Sequence, residues 1–319
     1  MNRNLRTGVG LSFVSLLLLG LMPIISNSRP MEIGALNFTL YLSIWQLIFA
    51  APVFLIEYKS SDRGIFKADI SSSLKKKSGV IMLTTGAMFG LSTFLYVLSL
   101  EKAGTVSASV AIQSYPLFVI LWETLFLKKK KNRAELFFTF LLLVSLYYLG
   151  TNGTWLIDGL SYWFLFALSV PLIWSVAHLL IKDVLDNTPI TPTQVTLFRV
   201  FTSAIMICTI AVISNGLNPV MKLMSDFRFQ LFAAAMGFVY YLELINWFYA
   251  VKYVDVSVAS SITTPWPAVT LILAVTFLHE SIELYQVIAL IIVSICVYGI
   301  LFSGKYKGVK EFIETNQED

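Results

Sequence analysis

Ten long apolar runs constrain the fold of this chain more than any other feature. A helix needs roughly 20 apolar residues to cross a hydrocarbon core of about 30 Å. The runs occupy residues 8–27, 33–57, 79–99, 105–127, 134–151, 159–182, 192–214, 229–250, 256–278 and 283–303. Backbone polar groups in lipid must be satisfied within their own segment, and a membrane β-barrel would instead show alternating segments of about ten residues. The sequence therefore predicts an all-α polytopic membrane protein with ten transmembrane helices.

The composition supports a membrane protein and argues against soluble classes. Of the 319 residues, 57% are hydrophobic and 13% are charged, whereas a soluble domain carries about 25% charged residues. We therefore expect the lipid bilayer as a partner and no nucleic acid. Both cysteines, Cys208 and Cys296, fall inside apolar runs, and the chain has only two histidines. No disulfide, metal site or cofactor is expected from them.

Lysine and arginine sort to one side of the predicted bundle. With ten spans, 18 of these residues fall on the side that holds both termini, four fall on the other side, and Arg199 lies inside a helix. Basic residues accumulate in cytoplasmic loops, so both termini are expected in the cytoplasm, with the protein in the plasma membrane or an equivalent inner membrane. The first run follows two arginines, but no small-residue cleavage site stands out after it, so we expect it to be the first span.

The chain also repeats itself internally. A shift of 151 residues aligns 86–127 with 237–278 without a gap and pairs glycine, proline and small residues: Gly86 with Gly237, Ala108-Ser109 with Ala259-Ser260, and Pro116 with Pro267. We expect a first five-helix repeat over 1–151, a second over 152–303 and a short cytoplasmic tail over 304–319. Because five is odd, the second repeat must be inverted in the membrane. Inverted repeats are typical of secondary transporters, whose substrate site lies between them near the bilayer midplane.

The two aligned segments also share a pattern with a known family. Residues 105–133 and 256–283 each run from a small-residue-rich helix to a proline, then to an apolar stretch ending in Phe-Leu and a charged turn. This pattern resembles the drug/metabolite transporter superfamily, in particular its paired EamA-type domains. The resemblance implies a ten-helix permease, often an exporter of amino acids or related metabolites, with a central cavity lined by both halves.

The second repeat is closer to the family than the first. Phe277-Leu278-His279-Glu280 resembles the family's Leu-Gly-Glu-like turn, and Arg199 resembles its arginine in the second helix of a repeat. In the first repeat, Lys129 stands where the glutamate is expected and Leu42 stands near the place of the arginine. The subfamily, and with it the substrate, stays open.

Polar side chains inside the spans are candidates for the substrate site, because each one is costly in lipid without a partner or a wet cavity. Glu243 and Asn246 share a helix face beside Trp247. Glu243 could neutralise a cationic group of the substrate or carry a coupling proton, while Asn246 supplies a donor and an acceptor. Alternatively, Glu243 pairs with Arg199 and holds two helices together. The two roles are compatible.

Prolines interrupt the fourth and ninth predicted spans at matched places. Gln113, Tyr115 and Pro116 lie in the first repeat, and Pro265, Trp266 and Pro267 lie in the second. Proline frees backbone carbonyls, which is tolerated in a membrane where protein or water satisfies them. We predict that these prolines act in gating and that the interruptions line the cavity; a packing kink is the alternative. The predicted substrate-binding set is Glu243, Asn246, Gln113, Arg199, Trp247, Trp266, Tyr96, Tyr115 and Trp45.

The sequence thus predicts a secondary transporter of small organic metabolites, and not an enzyme. Proton coupling through Glu243 is a hypothesis. A passive facilitator or channel of the same fold is the first alternative. An intramembrane enzyme that uses the His178-x4-Asp183 spacing, or a membrane scaffold, is the second.

Overall fold

The computed structural model describes residues 3–30, 32–60, 64–66, 71–125, 128, 131–254 and 256–315. Over these ranges the regular secondary structure is helical and includes no strand. Ten stretches are long and apolar enough to cross a membrane. This confirms the predicted fold class. Lys129 and the tail residues 316–319 lie outside the described residues.

Thirteen α-helices follow one another along the described part of the chain. They are α1 (Arg3–Asn27), α2 (Ala35–Lys59), α3 (Ser72–Ala103), α4 (Thr105–Ile112), α5 (Tyr115–Leu125), α6 (Arg133–Gly150), α7 (Tyr162–Asn187), α8 (Pro192–Asn215), α9 (Leu217–Lys222), α10 (Phe227–Tyr253), α11 (Val256–Thr263), α12 (Trp266–Leu273) and α13 (Leu284–Thr315). A π-helical turn, Ala274–Leu278, continues α12. Helix α13 extends through most of the segment predicted to be a separate tail.

The fourth and ninth spans are each built from two helices. Helix α4 ends at Ile112 and α5 begins at Tyr115, while α11 ends at Thr263 and α12 begins at Trp266. Helices α4 and α11 begin 151 residues apart and end 151 residues apart. The predicted interruptions are therefore present, and they follow the shift read from the sequence.

The helices of the two halves pack against each other throughout. Helix α1 packs on α10, α11 and α12, α2 packs on α8 and α10, and α3 packs on α7 and α8. Two glycines allow close approach at equivalent crossings: Gly86 of α3 faces Thr202 of α8, and Gly237 of α10 faces Trp45 of α2. Small residues at such crossings let helix backbones approach in a membrane.

Candidate functional site

A cavity of about 100 Å³ lies among the spans, and we call it the central cavity. Helices from both halves of the chain line it, and both helix interruptions reach it. Its lining comprises Leu19, Met22, Phe89, Ile112, Gln113, Tyr115, Pro116, Trp174, His178, Arg199, Tyr240, Glu243, Leu244, Trp247, Ser260, Thr263, Thr264, Trp266 and Val297.

Seven of the twelve residues predicted from sequence lie on this lining, and five do not. The lining residues are Gln113, Tyr115, Pro116, Arg199, Glu243, Trp247 and Trp266. Those outside it are Trp45, Tyr96, Asn246, Pro265 and Pro267. The structure thus brings together the charged pair and the helix interruptions, but not all of the aromatic residues.

The five predicted residues outside the lining lie elsewhere in the helix bundle. Trp45 lies on α2, where its indole donates a hydrogen bond to Gln230 Oε1 over 2.8 Å. Tyr96 is buried behind Trp174, with their ring centroids 6.2 Å apart and nearly parallel. Asn246 shares a helix with Glu243 but lies off the face of α10 that borders the cavity. Pro265 and Pro267 begin α12, beside the lining residue Trp266.

Arg199 lies between two aromatic rings. Its Cζ atom is 3.6 Å from the ring centroid of Phe89 and 5.7 Å from that of Tyr240. Its Nη2 donates to the Tyr240 hydroxyl over 3.3 Å. Stacking on aromatic faces stabilises a guanidinium that has lost water. Phe89 and Tyr240 are themselves 151 residues apart, so the sequence shift could have indicated both.

One guanidinium nitrogen of Arg199 remains available to a ligand. Its Nη1 is buried and has no hydrogen-bond partner among the described residues. Glu243 lines the same cavity and interacts with Arg199 electrostatically. However, within the described part of the chain no ion pair joins the two side chains at 4.0 Å or less. The alternative in which they form a direct interhelical pair is therefore not observed.

The two helix interruptions touch each other beside the cavity. Gln113 Nε2 donates to the backbone carbonyl of Thr264 over 2.5 Å. Gln113 follows the last residue of α4, and Thr264 follows the last residue of α11. The side chain from one interruption thus satisfies a carbonyl freed at the other. Gln113 Oε1 is buried, with no partner among the residues described.

His178 is the main lining residue that the sequence did not assign to the site. The apolar run 159–182 predicts that His178 lies near the cytoplasmic end of its span. Helix α7 continues to Asn187, and His178 on this helix borders the central cavity. Asp183 accepts a hydrogen bond from Asn187 over 2.7 Å, and no described contact joins it to His178. The structure does not form the His-Asp pair that the enzyme alternative requires.

A second cavity of about 400 Å³ adjoins the central cavity, and we call it the vestibule. The two share Tyr115, Pro116, His178, Trp247 and Ser260. The vestibule continues to Lys131, Glu135 and Lys182, which lie at the end of the bundle predicted to be cytoplasmic. The vestibule therefore extends from the lining of the central cavity toward this end.

The opposite end is held by a buried arginine. Arg29, in the turn between α1 and α2, forms an ion pair with Glu101 at the end of α3. It also donates to the carbonyls of Ser26 over 2.6 Å and Ile33 over 3.3 Å. Burial lowers the pKa of the Arg29 guanidinium, and the Glu101 carboxylate opposes that shift. Asn27 adds a link from α1 to the carbonyl of Leu100 over 2.9 Å.

Part of the chain is similar in sequence to known transporter proteins. Residues 161–302 match the model of the EamA-like transporter family. The chain is 28% identical over 134 residues to an uncharacterized transporter, YojE, of Bacillus subtilis strain 168, in an alignment that covers 41% of this chain and 43% of that relative. The match thus spans less than half of the relative's length.

The fold also occurs in a solved structure. A crystal structure 15% identical in sequence superimposes with a TM-score of 0.60, covering 92% of this chain and 97% of that one. At this identity the similarity concerns the fold alone. The match to the EamA-like transporter family therefore concerns the second half of the chain, residues 161–302, while the ten apolar spans extend over both halves.

Proposed function

We propose that this protein is a secondary transporter that exports a small zwitterionic metabolite, such as an amino acid or a related compound, by alternating access. It acts in the plasma membrane or an equivalent inner membrane, with both termini in the cytoplasm. The proposal rests mainly on the central cavity, which lies where two interrupted helices meet and holds Arg199 and Glu243 without an ion pair between them.

The charges of the central cavity suit a zwitterion. Arg199 offers its unpartnered Nη1 to a carboxylate, because a guanidinium forms strong charge-assisted bonds with carboxylate oxygens. The Glu243 carboxylate can accept from an ammonium group. The rest of the lining is mostly aromatic and apolar, which suits the body of a small metabolite.

The arrangement of the interruptions supports two inverted repeats, 1–151 and 152–303. Gln113 and Thr264 are 151 residues apart and touch each other. Under a twofold relation, equivalent residues come into contact only near the axis, so this contact is expected where the axis passes. Transporter sites lie at such interfaces, near the midplane.

The two ends of the bundle support loading from the cytoplasm. The vestibule reaches the end that carries Lys131 and Lys182. At the other end, Arg29 and Glu101 tie the α1–α2 turn to α3. A substrate could thus enter the central cavity from the predicted cytoplasmic side before the halves rearrange.

Counterflow in proteoliposomes tests the transporter proposal. Vesicles loaded with an unlabelled amino acid should take up the labelled form transiently against its gradient. Arg199→Gln removes the proposed carboxylate contact, and a charged hydrogen bond of about 1.5–3 kcal/mol predicts roughly a 10- to 150-fold loss of affinity. Arg228→Gln, at an exposed arginine, serves as the matched control. Uptake without counterflow would favour a passive channel, and equal uptake by both variants would refute the role of Arg199.

Proton coupling through Glu243 is a separate part of the proposal. Glu243→Gln keeps the size of the side chain but cannot release a proton. We expect the variant to lose the response of uptake to a pH gradient, while Glu283→Gln, at an exposed glutamate, retains it. An unchanged pH response in Glu243→Gln would exclude this residue as the coupling site.

A further inference from the structure

His178 lies where the central cavity meets the vestibule. Its ring borders both cavities. Four other rings surround it, with centroid distances of 5.3 Å to Phe89, 5.8 Å to Tyr115, 6.1 Å to Trp247 and 6.3 Å to Trp174. His178 is one of five residues that line both cavities, so it lies beside any direct passage between them.

The surroundings leave His178 without a polar partner. Its Nδ1 is buried and has no hydrogen-bond partner among the described residues. The indole N–H of Trp174 is directed to Ser92 Oγ over 3.0 Å, and Asp183 is bound to Asn187 on the exposed side of the helix. A buried polar atom without a partner is unfavourable, so the fold alone gives no reason for a histidine at this place.

An imidazole adds a function that the neighbouring rings cannot supply. A neutral histidine presents one hydrogen-bond donor and one acceptor on a flat ring. Phenylalanine also has a flat ring that packs among aromatic rings, but it offers neither. The charged groups that share the central cavity, Arg199 and Glu243, are already assigned to the charged end of the substrate. His178 therefore faces the part of the substrate that points toward the vestibule.

We propose that His178 is a substrate-contacting residue that selects zwitterions whose side chain carries a hydrogen-bonding group. Arg199 and Glu243 hold the carboxylate and ammonium groups, and the side chain of the substrate lies between Tyr115 and Trp247 with its polar group on the imidazole. This inference rests on the proposed function. A site that hydrogen-bonds a substrate group discriminates strongly against an isostere that lacks it, because the polar atoms of the site are then left unpaired.

Binding of matched ligand pairs tests the selection. Tyrosine and phenylalanine form one pair, and asparagine and leucine form another with similar shape. Affinities are measured on the full chain in detergent from the ligand concentration that protects it against thermal unfolding. For at least one pair, the polar member should bind the wild type at least tenfold more tightly. His178→Phe should bring the two members within threefold, and His178→Asn, which keeps a donor and an acceptor, should retain the preference.

Because the chain has two histidines, NMR can detect directly whether a ligand contacts the His178 imidazole. His178 and His279 are the two histidines, so His279→Asn leaves a single imidazole for nitrogen-15 NMR. The polar ligand should shift the ring nitrogen signals, whereas the apolar member of the pair should shift them less.

Each outcome bears on the proposal. A ligand that protects the protein but leaves the imidazole signals unchanged, or a preference that survives in His178→Phe, overturns the role of His178 while the proposed function stands. If no amino acid protects the wild type, the proposed function fails and this inference fails with it.

Discussion

Gly237 is the position where one added methyl group should disturb the helix packing most. A Cβ atom on Gly237 would lie 2.6 Å from Trp45 Cβ, 2.8 Å from the carbonyl oxygen of Leu42 and 3.0 Å from the backbone nitrogen of Gln46. Two of these neighbours are backbone atoms of α2. Rotation of a side chain cannot relieve the overlap, so Gly237→Ala must push α10 and α2 apart.

The size of the effect follows from two opposing terms. Overpacking of a close contact costs about 1–3 kcal/mol. Replacing glycine with alanine inside a helix stabilises the folded protein by about 0.5–1 kcal/mol, because alanine loses less backbone entropy than glycine on folding. We therefore expect Gly237→Ala to lose up to about 2.5 kcal/mol relative to the wild type, and about 1–3 kcal/mol relative to a helical Gly→Ala variant that causes no overlap. The separation also strains the hydrogen bond between Trp45 and Gln230, which crosses the same interface.

Thermal unfolding in detergent checks this prediction against two matched variants. A Cβ on Gly10 would meet no atom within 4 Å, so Gly10→Ala should keep or slightly raise the midpoint temperature. A Cβ on Gly86 would lie 2.6 Å from Thr202 Cβ, an atom that rotation of the threonine side chain does not move, so Gly86→Ala should lose a comparable amount at the equivalent crossing of α3 and α8. If Gly237→Ala unfolds at the same temperature as Gly10→Ala, the close approach of α2 and α10 is wrong.

Two further substitutions probe contacts at the closed end and at the centre of the bundle. Glu101→Gln leaves the buried Arg29 without its counter-charge and should destabilise the protein by about 3 kcal/mol in chemical denaturation. The control Asp186→Asn, which breaks an exposed ion pair, should lose less than about 1 kcal/mol. Equal losses in the two variants would mean that Arg29 is solvated. Gln113→Leu removes the donor to the Thr264 carbonyl and should lower the free energy of unfolding by about 1–3 kcal/mol in the same measurement. If the variant is as stable as the wild type, this carbonyl finds another donor.

The sequence predicted the spans well because the bilayer imposes a length on each apolar run. Each of the ten predicted runs agrees with its helix or helix pair to within four residues at one end or at both. Helix α3 begins at Ser72 rather than near residue 79, because its first turns contain lysines that hydropathy does not recognise as helical. Charged residues end an apolar run without ending a helix.

The site could be predicted only in part, because hydropathy locates the spans but does not show which side chains border a cavity. The breaks near Gln113 and Thr264 were visible because proline marks them in the sequence. His178 lines the cavity, but a single histidine in an apolar run carries no pattern that indicates which face of its helix borders a cavity. On α10, the face that borders the cavity carries Tyr240, Glu243, Leu244 and Trp247. The three-residue spacing of Asn246 from Glu243 is compatible with a shared face, but it does not determine which neighbours of Glu243 on the helix border the cavity.

The contact between Gln113 and the Thr264 carbonyl has a mechanical consequence. In a mechanism where the two halves exchange conformations, points on the symmetry axis keep their separation while points far from it move most. This contact would then act as the pivot of the rocking motion. A covalent tether introduced there should leave turnover intact, whereas a tether across the Arg29 end should arrest the cycle.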